Sequence, residues 1–352
     1  DLHSFPTRRS SDLALIGIGK AEGFSEGLIA GAIISGAYFG DKISPLSDTT
    51  VMASSINKVP LFTHIRYMMV TTVPSMVITL IIFTVLGLSY SGGDASQVQV
   101  YTDVLKEKFN ITPWLFIVPV LTGVMIWRKW PAFIVLALST LFAGILAMFF
   151  QRPIIEEIGS AMVQGSPAKV LFTGLVKTVY DSVQLTTGNP DVDTLVATKG
   201  MTGMLNTVYL IICAMCFGAC MKASGMIAEI AGLFSKVSRR RTGLVASTVV
   251  SGTALDGLVC DQYLAIILTS NIFEDIYKDK GFEGRLLSRS VEDSATVTSP
   301  LFPWSSCGMT QATILSVPTI AYAPYCFFNI ISPLMSILIA ATGYKIVKIK
   351  RK

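Results

Sequence analysis

The stretch "GLIAGAIISGAYFGDKISPLSDTT", Gly27 to Thr50, decides the fold. Its first half is apolar and rich in small residues, as a membrane-crossing helix would be. Its second half, "GDKISPLSDTT", puts two aspartates, a lysine, a proline and several hydroxyl side chains where that helix would be expected to continue. Another long apolar run begins soon after. The stretch is either a water-exposed loop or a polar site held at membrane depth, and the rest of the chain discriminates between the two.

Composition sets the solvent. Of 352 residues, 51% are hydrophobic and 14% charged, against about 25% charged in ordinary soluble domains. The apolar residues gather in long blocks rather than short alternating segments, which predicts an all-α integral membrane protein and excludes a transmembrane β-barrel. Blocks at 21–40, 65–88, 114–127, 131–150, 203–234, 243–275 and 312–343 are the expected spans of a polytopic helical bundle. Basic residues cluster at Lys58, His64 and Arg66, at Arg128 and Lys129, at Lys236 and Arg239 to Arg241, and from Lys345 to Lys352. The positive-inside rule assigns these four sites, with the C-terminus, to the cytoplasm, and the loops near 90–112 and 152–200 to the outside. Topology then accounts for the net charge of +5, and no nucleic-acid partner is implied. Asp1 to Leu13, "DLHSFPTRRSSDL", translates a sequencing-adapter string codon for codon. These residues are expected to be an artefact, leaving 14–352 as one transmembrane transporter domain whose preceding helices are missing.

Lesser features take plainer readings. His64, flanked by basic residues, is expected at the interface. "VLFTGLVKTVYDSV" has partly helical periodicity and reads as an interfacial amphipathic helix. Asp191 and Asp193 in "TTGNPDVDTL" follow turn residues and read as a solvated turn. The six cysteines lie in or beside apolar blocks, which argues against disulfides; Cys213, Cys216 and Cys220 read as small buried core residues rather than a metal site.

An internal repeat organises the chain. "GLIAGAIISG" at 27–36 matches "GLVASTVVSG" at 243–252, and "VPLFTHIRY" from Val59 echoes "VPTIAYAPY" from Val317. An odd number of predicted crossings separates the copies, so the repeat parts, 14–90 and 203–344, are expected to be inverted. Inverted repeats with broken helices are the build of many secondary transporters, whose ion sites lie between the copies. The block 243–275 would be about 50 Å long as one helix, against a hydrocarbon core of roughly 30 Å, so a break is predicted in "SGTALDGLVCDQ" at Gly252, Asp256, Gly257 and Asp261. A carboxylate facing lipid costs at least about 2.5 kcal/mol, so Asp256 and Asp261 should face a protein cavity or cap helices. In "SVEDSATVTSPLFPWSSCGMT", Ser290 to Thr310, Pro300 and Pro303 forbid a regular helix, while Thr298, Ser299 and other hydroxyls stand close to Glu292 and Asp293. A re-entrant hairpin is predicted, because non-helical backbone survives at membrane depth only where it lines a cavity or is buried in protein. Ser44-Pro45-Leu46 and Ser299-Pro300-Leu301 make two similar breaks.

"FGDKISPLSDTT", "VDTLVATKGMTGMLNTVYLIICAMCFGACMKASGMI", "SGTALDGLVCDQYLAIIL" and "LSRSVEDSATVTSPLFPWSSCG", in that order, resemble the NhaC family of bacterial sodium/proton antiporters, and the likeness runs from Ala14 to Tyr344. The resemblance implies a multi-pass transporter of the bacterial cytoplasmic (inner) membrane. Its partners would be Na+, H+ and the lipid bilayer; it would need no cofactor and perform no enzymatic reaction, and a homodimer is left open. Some members of the family exchange malate or lactate as well.

Position and chemistry nominate the ion-binding residues. Asp48 is the favoured shared carboxylate, with Ser47, Thr49 and Thr50 as neutral ligands and Asp256 or Asp261 as the counterpart in the second repeat. Asp41 joins the set with the reservation that adjacent Lys42 is a ready salt-bridge partner. Glu292 and Asp293 either form a further acidic site or cap the hairpin. A hard cation takes oxygen ligands, and a carboxylate out of water holds a proton unless a cation replaces it, so Na+ and H+ compete for one charge. Two rival readings remain. An organic-anion antiporter would need a cation for its substrate, with Lys42, Lys199 and Arg289 as candidates. An intramembrane aspartyl protease is suggested by "YFGD" at 38–41, but Tyr38 stands where a glycine is needed, and Tyr180-Asp181 lies in a predicted outside loop.

Overall fold

The computed structural model describes residues 15–20, 22–45, 47–89, 95–128, 130, 132–198, 200–226, 229 and 241–346. Residues 1–13, Leu46 of the first Ser-Pro-Leu sequence, Lys129, Lys199, the basic run 236–240 and the tail from 347, all used in the sequence reading, lie outside them. The described chain is helical, with one isolated bridge between Val183 and Thr198 and no strand. It forms two compact units, 1–23 with 92–206 and 24–91 with 207–352.

The larger unit contains α1 (Glu26–Ile43), α2 (Asp48–Ile56), α3 (Leu61–Ser89), α4 (Leu205–Ala223), α5 (Arg241–Val259), α6 (Gln262–Asp279), α7 (Gly284–Val291), α8 (Ser306–Leu315), α9 (Thr319–Tyr322) and α10 (Phe327–Thr342). Both Ser-Pro-Leu sequences lie here, and the chain takes the same course at each. The first ends α1, because proline cannot continue a helix. Ser47 then caps α2, its Oγ accepting from the Thr50 amide at 3.4 Å. After α2, Lys58 turns left-handed at φ 56°, and Val59-Pro60 leads into α3, which carries Pro74. At the second, α7 runs into a π turn over Glu292–Thr296 and a 3₁₀ turn over Ser299–Leu301. Ser305 caps α8 by accepting from the Gly308 amide at 2.9 Å. Ser316 turns left-handed at φ 56°, and Val317-Pro318 leads through α9 to α10, which carries Pro333.

The other repeat pair also has a structural counterpart, since "GLIAGAIISG" and "GLVASTVVSG" open α1 and α5. The break after α5 is narrower than expected. Cys260, at φ 62°, and Asp261, whose carboxylate caps α6 by accepting from the Leu264 amide at 2.9 Å, contain all of it. Gly252, Asp256 and Gly257 remain helical. Gly252 is retained for packing: a Cβ there would collide with the Ser294 hydroxyl, so α5 lies directly against the π turn. Close approach matters because lipid tails are as apolar as leucine, which leaves van der Waals fit and interhelical hydrogen bonds to hold helices together. Leu244, Val249, Leu255, Ile266, Phe273 and Leu286 fill the space between α5, α6 and α7.

The smaller unit revises the predicted loops. The regions 90–112 and 152–200 carry helices at Ala95–Lys108, Arg152–Ser160, Pro167–Tyr180 and Pro190–Val196. The third of these covers most of the predicted amphipathic segment. It packs on Arg152–Ser160 through Gly159 and Gly174, where Cβ atoms would overlap the facing backbone. Helices Ile117–Trp127 and Ala132–Phe150 are joined by Thr122 Oγ1 and Ser139 Oγ at 2.8 Å. Asp193 closes its turn by accepting from the Thr187 amide and hydroxyl, each at 2.6 Å, and these bonds hold its carboxyl below the usual range.

Among the described residues, Leu61–Ser89 and Arg241–Val259 are long and apolar enough to cross a membrane as single helices. Three further bent pairs qualify together: Gln99–Lys108 with Pro113–Met125, Ala137–Phe150 with Arg152–Ser160, and Thr319–Tyr325 with Phe327–Thr342. The seven apolar blocks are therefore not seven continuous spans, since 243–275 and 312–343 are each broken. All six cysteines are free, but Cys213, Cys216 and Cys220 lie exposed on α4 rather than in the core.

Candidate ion site

The site forms where the end of α1 meets the π turn. Lys42 and Asp293 are both fully buried and joined as an ion pair. The pair is held from two more helices: Thr71 of α3 donates to Asp293 Oδ1 at 3.2 Å, and Ser332 of α10 contacts the same oxygen at 3.3 Å and Lys42 Nζ at 3.1 Å. Lys42 thus takes Asp293 as its partner, and the reservation held against Asp41 on its account falls. Consecutive residues on a helix point about 100° apart and do not face each other, so Lys42 looks inward across 251 positions of sequence instead.

Asp41 takes part in a second network. Its Oδ2 accepts from Ser47 Oγ at 2.9 Å and Thr49 Oγ1 at 3.3 Å, and those two hydroxyls lie 3.0 Å apart. Thr49 Oγ1 also reaches Glu292 Oε1 at 3.2 Å. One hydroxyl therefore bridges a half-buried carboxylate before the first break and a fully buried carboxylate in the π turn. Glu292 Oε2, Asp293 Oδ2, Thr50 Oγ1 and Thr296 Oγ1 are buried without a hydrogen-bond partner among the described residues. Buried polar atoms normally find partners, so unmatched oxygens gathered at one place call for a ligand. The set is hard oxygen, suited to a small hard cation. No group of three or more His, Cys, Asp or Glu side chains placed to hold a metal ion occurs among the described residues, so hydroxyls make up part of the oxygen set here.

Asp48 lies elsewhere. It occupies the first turn of α2, where a negative charge favours the helix dipole, and its side chain is exposed. Of the residues nominated after Pro45, Ser47 and Thr49 reach the buried network, and Thr50 is buried beside them. Asp261 is the cap of α6. Asp256 is fully buried in α5, with the Ser299 side chain beside it. Thr298 Oγ1 is spent on the Ser294 carbonyl at 2.7 Å, a bond that shapes the turn.

Two contributors escaped the sequence reading. Thr71 belongs to a buried polar stripe on α3 with Thr72, Ser75 and Thr79, in which Ser75 and Thr79 bond the carbonyls one turn back at 2.8 Å. Hydroxyls at helical spacing in an otherwise apolar helix were the available signal. Ser332 had no comparable signal. His64, expected at the membrane interface, is fully buried within the protein, with Nδ1 at 2.9 Å from Ser288 Oγ.

Broken helices that converge on buried carboxylates and hydroxyls define a polytopic helical membrane transporter. The comparisons agree. Residues 36–344 match the model of the Na+/H+ antiporter family. The chain is 34% identical over 338 residues to the Na+/H+ antiporter NhaC of Bacillus subtilis, covering 96% of this chain and 71% of that one. It is 34% identical to the malate-2H+/Na+-lactate antiporter of the same organism, covering 97% and 69%. To the arginine/ornithine antiporter ArcD of Halobacterium salinarum it is 31% identical, covering 97% and 68%. The chain belongs to the Na+/H+ antiporter family, and so stands among transporters rather than enzymes. No solved structure matches it.

Proposed function

We propose that this chain exchanges Na+ for H+ across the bacterial cytoplasmic membrane, with its C-terminus inside, and that Glu292 is the carboxylate the two ions share. One observation carries the residue assignment. Glu292 is fully buried, with one oxygen tied through Thr49 to Asp41 and the other unmatched. Thr49, Ser47 and Asp41 supply the further oxygens for Na+. Without Na+, a proton neutralises the buried charge, because an unpaired carboxylate away from water is costly. Lys42 offsets Asp293, so that acid is held in structure while Glu292 turns over. The inverted arrangement of 14–90 and 203–344 gives alternating access about this point.

The test is Na+-driven proton movement in everted vesicles containing the full-length protein. Glu292→Gln should abolish it and Asp48→Asn should preserve it. The assignment fails if Glu292→Gln exchanges normally, and a loss in Asp48→Asn alone would return the role to Asp48.

A further inference from the structure

A cavity of about 310 Å³ opens where the end of α2 and the starts of α3 and α7 meet α6, and none of the ion-site residues lines it. Lys58, Lys278 and Arg285 bring three positive charges to its wall, against two negative ones from Glu274 and Glu283. Glu274 Oε1 serves both lysines, with Lys58 Nζ at 3.0 Å and Lys278 Nζ at 2.7 Å. Lys278 also stands 3.8 Å from the exposed Asp275, which is not part of the wall, and Arg285 pairs with Glu283. Ion pairs open to solvent hold little energy, so these cations can turn to a bound anion.

The backbone adds to the same potential. Thr63 of the first turn of α3 and Gly284, Arg285 and Leu287 of the first turn of α7 all line the cavity. First-turn amides have no acceptor within their own helix, and the helix dipole places positive potential there. Glu283, at the cap position of α7, makes no side-chain cap hydrogen bond. Asn57 is an independent sign of a ligand. It lines the cavity and is 7% exposed. Its Nδ2 donates to the Ala53 carbonyl at 2.8 Å and Ser270 Oγ at 3.0 Å, which fixes the orientation of the amide. Its Oδ1 is left buried without a partner among the described residues, where buried polar atoms normally have one. Cations beside a lone acceptor suit a ligand that carries both an anion and a hydroxyl.

Depth in the bilayer selects the source of that ligand. At 1.5 Å per residue α3 is about 43 Å long, against a hydrocarbon core of roughly 30 Å, so its first turn stands among the lipid headgroups. Phe62 in that turn is 67% exposed, and Arg66 one turn on is exposed as well. Val59, Phe282 and Leu287 give the cavity an apolar wall.

We propose that this cavity binds the headgroup of phosphatidylglycerol. Lys58, Lys278, Arg285 and the first-turn amides of α7 hold the phosphate, and a glycerol hydroxyl donates to Asn57 Oδ1. The site uses none of the ion ligands and does not depend on the cation exchange proposed above.

The test is the thermal midpoint of the purified full-length protein in uncharged detergent, titrated separately with phosphatidylglycerol, phosphatidylethanol, phosphatidylcholine and inorganic phosphate. Phosphatidylglycerol should raise the midpoint saturably, and phosphatidylcholine should not. Phosphatidylethanol has the same charge and no headgroup hydroxyl, and should bind about threefold more weakly. Lys278→Gln combined with Arg285→Gln should weaken phosphatidylglycerol at least about tenfold. Lys169→Gln, exposed in the other unit, should respond as the wild type does. The proposal is overturned if phosphatidylcholine matches phosphatidylglycerol, if inorganic phosphate alone gives the same rise, or if the double variant binds as the wild type does. Should the double variant fail to fold, Lys278→Gln alone decides. Equal binding of phosphatidylethanol overturns the contact to Asn57 and, with it, the choice of phosphatidylglycerol.

Discussion

The two Ser-Pro-Leu breaks share a local grammar and differ in depth. At the first, Pro45 and Asp48 are exposed and Asp41 is half-buried, while Lys42, Ser47, Thr49 and Thr50 turn inward. At the second, every residue from Leu286 to Pro300 is buried, two acids among them. In both, the serine after the proline caps the next helix and so serves the backbone. The residues before the proline face the partner segment and hold the charge. Depth then separates the roles: the first break brings hydroxyls to a partly open rim, and the second seals the carboxylates that those hydroxyls reach.

That contrast can be broken most severely at the ion pair. Lys42→Met leaves Asp293 buried without its cation and should lower stability by about 3–5 kcal/mol, seen as a large fall in the thermal midpoint of the purified protein. Replacing Asp293 by leucine in the same protein should restore much of it, and a double mutant no better than the single would show that the pair is not one unit. Next in size is function. Glu292→Gln should depress Na+-dependent exchange at least about a hundredfold, equivalent to about 2.7 kcal/mol of lost coupling, while Asp48→Asn changes it less than about twofold. Equal losses would erase the difference in depth. The capping serines offer a smaller test, since Ser305→Ala and Ser47→Ala should each cost about 1 kcal/mol of stability. Ser47→Ala should also impair exchange, because Ser47 reaches Asp41, and Ser305→Ala should not.

The smallest effect lies outside the breaks. The folded Asp193 carboxyl sits below its ordinary value through its bonds from Thr187. Its contribution is therefore complete above the unfolded value of about 3.9 and fades as pH falls through the lower folded value. Amide exchange at Thr187 should quicken only at such acidic pH, and Asp193→Asn should remove the transition.

Much of the fold was legible because long apolar blocks, proline and capping residues act locally. The breaks at Pro45, Pro300 and Cys260–Asp261 fell where the sequence put polar residues inside apolar blocks. The site was legible in composition but not in partnership. Asp41 and Lys42 adjoin in sequence, yet helical geometry sends them to different networks, and Lys42 finds Asp293 from the far end of the chain. Asp48 carried the right chemistry in the right stretch, but the cap at Ser47 fixed the phase of α2 so that Thr49 faces inward and Asp48 outward. A one-residue difference in helical phase is a tertiary outcome that residue type does not encode. Arg289 is legible in the sequence as a cation; that its guanidinium has no acceptor among the described residues is a tertiary outcome.

Helix α1 carries a mechanical consequence of its glycines. At Gly27 and Gly31 its backbone lies so close to Ala321 and Tyr325 that a Cβ would overlap them. At a rise of 1.5 Å per residue, Gly31 is about 16 Å along the same axis from Lys42. A contact with no intervening side chain has little slack, and a helix is stiff along its length. The segment 319–325 and the Lys42–Asp293 pair are thus the two ends of a connecting rod, and a displacement imposed at either end is delivered to the other.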